Sequence, residues 1–433
     1  MPVRLVVSLL LFAVFAEAAA LAVHYAGTGW LFYANPHRRV LAVLPPDAQQ
    51  TLTGDALHPY FGPTHRPGLV FEIPAELQGG ASPGRPPART NNFGFVARTD
   101  YPVPRGDDRQ FFVGFFGGSV GLWFCEVGAE RFLDRLRRHP ALAGRTIVPV
   151  CLAHEGYKQP QQLLTLAYFL SAGQPFDLVV NIDGFNEVAL GAMNDQRGFD
   201  FTMPSVSHIE PLMNLIDRAT LTPDKAEALA AINTARQAAD RWARRANAAR
   251  LAAVYLVADR MHAIADARYR DARLRFDRLP SQGADRSLLR ITPRTAERSG
   301  DAFFAGVARQ WAEASGAMQA LLAARGIAYV HVLQPNQYAS VRRFSDAERQ
   351  VAFIDASPFK PGAEQGYPHL RGEAAQRILR ERGVRFVDGS GAFDRTPGQV
   401  YWDNCCHYTR LGNDVLADVI ADAVLAPGVL PAR

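Results

Sequence analysis

The stretch RQFFVGFFGGSVGLWFCEVG, Arg109 to Gly128, decides how this chain is read. Its apolar run from Phe111 is too short for a buried helix and rich in aromatic residues, so it predicts a buried strand over Gln110–Phe116. The run stops at Gly117-Gly118. A glycine pair permits a sharp turn, and such a turn leaves Ser119 exposed at the strand's end. Ser119 is then either a turn residue or a nucleophile held at the edge of a sheet.

Downstream, strand and helix patterns alternate. A helix is expected over Val127–Arg138, a strand over Thr146–Leu152 (TIVPVCL), a helix over Pro160–Ala172 and a strand over Phe176–Ile182 (FDLVVNI). Two later strands, Ile327–Leu333 and Val384–Val387, follow amphipathic helices over Ala302–Arg325 and Gly372–Arg382, and a last helix covers Gly412–Leu425. Strands that alternate with helices form a parallel sheet covered on both faces. The expected fold class is α/β, a three-layer sandwich around a five-stranded parallel sheet. Thr222 to Asp277 is rich in Ala, Arg and Glu with helical periodicity and predicts one or two long helices, such as a hairpin, within an insertion of about 200–300. The resulting organisation is 1–25 as a transmembrane signal anchor or signal peptide, 26–108 as an extended Pro/Gly-rich stalk and cap, and 109–433 as the α/β domain that carries the insertion.

The N-terminus, MPVRLVVSLLLFAVFAEAAALAVHYAG, places Arg4 before an apolar run from Leu5 to Val23 that only Ser8 and Glu17 interrupt. About 20 apolar residues suffice to cross a bilayer as a helix. Glu17 carries a penalty of roughly 2–3 kcal/mol at the membrane centre. The run reads as an uncleaved signal anchor, with GWLFYANPHRR following as an interfacial belt. The alternative is a signal peptide cut at Ala16-Glu17-Ala18 or Ala18-Ala19-Ala20. Either way the body is expected outside the cytoplasm. A net charge of +5 over 433 residues, without a basic arm, argues against nucleic acid as a partner. Arg241, Arg244 and Arg245 fit a solvated helix face. The four cysteines, Cys125, Cys151, Cys405 and Cys406, allow three pairings in an oxidising compartment. Adjacent Cys405 and Cys406 are disfavoured as a pair. The Cys-Cys-His sequence lacks the ligand spacing of a zinc site.

In an open α/β sheet, sites form at the carboxyl ends of the strands. Ser119 follows the first strand there, Gly156 the second, Asn186 the third, and Asp403 and His407 precede the last helix. These residues can divide the labour of acyl transfer. Ser119 attacks a carbonyl, His407 takes its proton and Asp403 orients the imidazole. The backbone N–H groups of Ser119 and Gly156 and the Asn186 amide can receive the oxyanion. Gln334 and Asn336, in LQPNQY after the fourth strand, and Trp402 are further candidates for contacting substrate. His154 and Glu155 read as loop residues, and Asp183 as a brace for the asparagine loop.

These marks, GGSVG, AHEGY, DGFNE and DNCCHYTRLGN in that order, resemble the SGNH (GDSL-type) hydrolase family over about 92–425 outside the inserted helices. RTNNFGF resembles the N-x-x-G-F element that precedes the first strand in membrane-attached bacterial members. The resemblance implies a serine esterase without metal or organic cofactor. In tethered members it implies action on O-acyl groups of cell-surface glycans. An O-acyltransferase, a lipase-like esterase with the inserted helices as lid, and a degenerate glycan-binding module are the alternatives. Two departures stand out. Gly118 occupies the place of the family's aspartate. The position three residues before His407 is Asn404, with Asp403 one residue further away.

Overall fold

The computed structural model describes residues 2–36, 41, 55–71, 73–74, 77, 87–216, 222–279, 300–354 and 356–430. Much of the Pro/Gly-rich segment, and 280–299 of the insertion, lie outside the described residues.

The chain opens with helix α1, Pro2–Thr28. Two small antiparallel hairpins follow: β1 Asp55–His58 with β2 Gly62–His65, and β3 Val70–Phe71 with β4 Ala88–Arg89. The main sheet comprises β5 Gln110–Gly117, β6 Thr146–Cys151, β7 Leu178–Asp183, β8 Ala328–Leu333 and β9 Arg385–Asp388. Its order is β6-β5-β7-β8-β9 and every pairing is parallel. Phe112, Val113, Phe115 and Phe116 of β5 and all of β7 are buried, as the continuous apolar runs require for strands covered on both faces. Each of the apolar side chains contributes roughly 1.5–3 kcal/mol on removal from water, whereas Asn181 and Asp183 of β7 are polar and are hydrogen-bonded to each other.

The helices in chain order are α2 Ser119–Trp123, α3 Ala129–Arg138, α4 Gln161–Ser171, α5 Phe185–Gln196, α6 Val206–Ile216, α7 Pro223–Ala248, α8 Ala252–Arg278, α9 Asp301–Ala323, α10 Asp346–Ala352, α11 Lys360–Leu370, α12 Glu373–Glu381 and α13 Arg410–Leu425. Helices α3 and α13 pack together on one face of the sheet, while α4, α5, α9, α11 and α12 cover the other. The chain therefore forms the three layers expected of it. The helix expected from Val127 begins earlier. It starts at Ser119 itself and continues through one π-helical turn, Phe124–Gly128, into α3. Glycines at 121 and 128 mask this continuity in the sequence.

Two expectations change on folding. Residues 55–71 and 87–108 are not an extended stalk. Phe61, Phe95 and Tyr101 sink into the main core, and the Tyr101 hydroxyl accepts from the Cys151 amide at 2.8 Å. RTNNFGF makes this docking possible. Asn91 Oδ1 accepts from the amides of Phe93 (3.0 Å) and Phe95 (3.1 Å), and Asn92 bonds both backbone groups of Tyr101. The second change concerns Glu17. Helices α7 and α8 form a hairpin, and Glu17 accepts from the first amides of α8, Ala252 (2.7 Å) and Ala253 (3.0 Å). Those amides have no intrahelical acceptor, so the carboxylate serves as their cap. Beyond this contact Leu11, Phe12, Phe15 and Val23 stay exposed. Among the described residues α1 alone is long and apolar enough to cross a membrane, a composition shared by anchors and signal sequences.

Candidate active site

Because the sheet is parallel, the loops after β5, β6, β7 and β8 open on one rim. Ser119 begins α2 directly after β5. As the first residue of that helix its N–H has no intrahelical acceptor. Its Oγ lies 2.7 Å from His407 Nε2. On the other side of the ring, His407 Nδ1 makes a short contact with Asp403 Oδ2. Asp403 Oδ1 accepts from the amides of Cys405 (3.0 Å), Cys406 (3.1 Å) and His407 (3.2 Å). These three bonds curl the chain tightly enough for a carboxylate four residues away to reach the imidazole. The backbone carbonyl of Asn404 accepts from the Tyr338 hydroxyl at 2.7 Å.

The glycine at 118 has a physical reason. A Cβ there would stand 2.1 Å from Asn186 Nδ2 and 3.2 Å from the Tyr157 carbonyl. Asn186 Nδ2 donates to that same carbonyl at 2.8 Å, so the amide is held over Gly118 with its second N–H free to serve another acceptor. Asn186 is not the cap of α5, since that position belongs to Gly184. Gly156 has φ +73°, and a Cβ on it would meet the His208 ring at 2.6 Å.

Further residues tie the loops together. Glu187 Oε2 accepts from the Gly184 amide and Oε1 from the Gln159 amide, both at 2.8 Å, joining the loops after β7 and β6. Burial, with the Asp183 charge, raises its pKa to about 8. Cys125 and Cys151 form a disulfide between the π-turn after Ser119 and the end of β6. Cys405 and Cys406 are not in a disulfide.

Beside Gly156, His65 lies between two carboxylates, Asp55 Oδ1 at 3.1 Å and Glu155 Oε2 at 2.7 Å. Burial opposes its charge. The Glu155 charge and the Asp55 hydrogen bond outweigh burial and lift the His65 pKa to about 10. His154 is pushed down to about 4 by burial and by the His65 cation. Thus Glu155, read as a loop residue, anchors its loop to the N-terminal β1–β2 hairpin. His65 is separated from it by 90 positions, so no local pattern could signal the pair.

Other residues take different places from those expected. Asn336 is fully buried (0% exposed), and Gln334 is buried too. Asn336 Nδ2 donates to the Cys405 carbonyl at 3.3 Å, and the neighbouring Gln337 Nε2 to the Asp403 carbonyl at 3.2 Å. Through these bonds the loop braces the 403–407 turn. Trp402 is half-buried with its ring 5.8 Å from that of His407. Asp183 turns into the helical layer, accepting from Trp311 Nε1 and meeting His331 Nε2, both at 2.7 Å, so it does not brace the asparagine loop. Among the described residues, two clusters have ligand-type atoms within 4.8 Å of one another: Cys405, Cys406 and His407, and His65, His154 and Glu155.

No family model and no curated protein matches this chain. Among solved structures it is similar to the crystal structure of the lipase/acylhydrolase from Enterococcus faecalis. The identity is 12% and the TM-score 0.33, over 75% of this chain and 98% of that one. A likeness at this level carries no argument about chemistry.

The electrostatics favour a charged imidazole at His407. Burial disfavours a charged His407, but the Cys406 and Asp403 charges override it and raise its pKa well above the ordinary histidine value. Asp403 is itself held below the usual carboxylate range. Burial opposes this, and the His407 charge and hydrogen bonds outweigh it. When the ring is neutral with Nδ1–H on Asp403, its Nε2 lone pair faces the Ser119 hydroxyl.

Proposed function

We propose that this chain is an extracytoplasmic serine esterase acting through an acyl-enzyme. The observation that carries this reading is the 2.7 Å approach of Ser119 Oγ to His407 Nε2, with Asp403 on the opposite ring nitrogen. In the first half-reaction Ser119 Oγ attacks the ester carbonyl carbon as its proton passes to His407 Nε2. The oxyanion meets the N–H groups of Ser119 and Gly156 and the second N–H of Asn186. Collapse expels the alcohol, protonated by His407. Water then repeats the sequence to release the acid.

The favoured substrate is an O-acyl group on a cell-surface glycan. The apolar exposed stretch of α1 and the Cys125–Cys151 disulfide support placement outside the cytoplasm. Trp402, half-buried beside His407, supplies an aromatic face of the kind that suits a sugar ring.

The test is labelling of the purified protein with a fluorophosphonate, alongside hydrolysis of p-nitrophenyl acetate. Wild type should label and turn over, and Ser119→Ala should do neither. Equal labelling of both proteins overturns the assignment of Ser119. Acetylated glycan, with and without a sugar acceptor, then tests the substrate class and separates hydrolysis from transfer.

A further inference from the structure

Asp403 and His407 enclose two adjacent thiols. Cys405 Sγ and Cys406 Sγ lie 3.2 Å apart, Cys405 half-buried and Cys406 buried. We propose that Cys405 and Cys406 are a thiol-oxidation site that takes a disulfide-bearing oxidant and forms a vicinal disulfide which disarms the catalytic turn. The inference rests on the esterase reading for its effect on activity, and on the turn's own geometry for its chemistry.

The sulfurs are close, but bonding them is not conformationally neutral. A disulfide needs sulfurs about 2.05 Å apart and normally joins Cα atoms at least about 4.4 Å apart. Neighbouring Cα atoms across a trans peptide are only about 3.8 Å apart. Closing the ring therefore twists the Cys405–Cys406 peptide. The N–H of that peptide belongs to Cys406 and donates to Asp403 Oδ1 at 3.1 Å, flanked by the Cys405 and His407 amides on the same oxygen. Twisting the peptide withdraws the middle donor of the three. It also moves the Cys405 carbonyl, which Asn336 Nδ2 holds at 3.3 Å. Asp403 then loses the anchorage that keeps Oδ2 on the His407 ring.

The reaction balances as two exchanges. Half-buried Cys405, whose pKa is raised by its hydrogen bond with Cys406 and by burial, first passes its proton to the Cys406 thiolate across the 3.2 Å contact; it then attacks one sulfur of the oxidant disulfide, forming a mixed disulfide and expelling one thiolate, which takes up the Cys406 proton. Cys406 then attacks Cys405 Sγ and expels the second oxidant thiolate. Two cysteine thiols are oxidised, one external disulfide is reduced to two thiols, and two protons leave with the products. Burial opposes ionisation of Cys406. The hydrogen bond from Cys405 and the His407 charge overcome burial and favour the thiolate, which suits Cys406 to the second step. A strained vicinal ring is readily reduced, so the change is reversible.

The test exposes the full chain to oxidised glutathione and then to a phosphine reductant. Thr396–Arg410, the tryptic peptide TPGQVYWDNCCHYTR, contains both thiols and no other cysteine. Its mass should fall by two hydrogens and resist iodoacetamide until reduced. In parallel, p-nitrophenyl acetate hydrolysis should fall at least tenfold and recover on reduction. The low-field proton resonance of the His407 Nδ1–H should disappear and return with it. Cys405→Ser should remain active and indifferent to oxidant, with Cys405→Ala as the replacement if serine impairs folding. Free thiols after oxidation overturn the proposal. So does a vicinal disulfide that leaves both the rate and the low-field resonance unchanged. If the reduced protein neither hydrolyses ester nor labels with fluorophosphonate, the esterase reading fails, while the peptide mass and the His407 resonance still judge the thiol chemistry and its effect on the turn.

Discussion

Replacing Gly118 by alanine should remove catalysis without unfolding the protein. The added methyl would be placed 2.1 Å from Asn186 Nδ2, whereas ordinary van der Waals contact begins near 3.4 Å. The amide must retreat by more than an ångström. Its retreat breaks the 2.8 Å bond to the Tyr157 carbonyl that aims it. Under the proposed mechanism an oxyanion donor displaced that far is a donor lost, costing about 2.7–4 kcal/mol in the barrier, or about 10²–10³ in kcat. The expected stability loss is smaller, about 1–3 kcal/mol for one disrupted buried hydrogen bond. The assay is steady-state hydrolysis of p-nitrophenyl acetate by Gly118→Ala, Asn186→Ala and the double variant, with urea melts as control. Each single variant should lose kcat to a similar extent. The double variant should be no worse than Asn186→Ala, because the truncated side chain leaves room for the methyl. A Gly118→Ala enzyme with wild-type kcat refutes the reasoning, and so do losses that multiply in the double variant.

Three further expectations follow from the same geometry. The acid limb of kcat/KM should lie above pH 6.5, because a raised His407 pKa delays the neutral base to higher pH; Asp403→Asn should move the limb down, and a limb below 6.5 in wild type contradicts the electrostatic account. His65→Ala should lower stability in chemical denaturation, because it removes the cation shared by the Asp55 and Glu155 carboxylates. Since the folded His65 pKa is raised to about 10, its charge-linked contribution is complete below about pH 6.5 and is lost as pH rises through 10, so the stability gap between wild type and variant should narrow at alkaline pH. Glu17→Ala should destabilise the α7–α8 hairpin by about 0.5–2 kcal/mol through loss of the cap on α8, visible as faster amide exchange at Ala252 and Ala253.

Much of the architecture was legible in one dimension. The β5, β7 and β8 strands are short apolar runs, and the helices between them repeat with a different period, so burial writes each element into its own residues. Once the strands are parallel, topology places whatever follows them on a common rim, which is why Ser119, Gly156, Asn186 and His407 could be grouped before any coordinates. The early start of α2 was hidden by glycines. The docking of 87–108 was hidden by its turn-rich composition, because packing of Phe95 and Tyr101 depends on a partner surface far along the chain.

What the sequence by itself determined, then, is the order of elements and which residues share an edge, because both follow from local periodicity and chain direction. Which side chains touch was decided only by the tertiary structure. It is there that Asp403 rather than Asn404 meets His407, because three amides curl the turn around one carboxylate oxygen. There too Asn336 becomes a buried brace and His65 reaches Glu155 across 90 residues. And there the glycine in place of an aspartate acquires its reason: the Asn186 amide lies so close over Gly118 that no side chain fits beneath it.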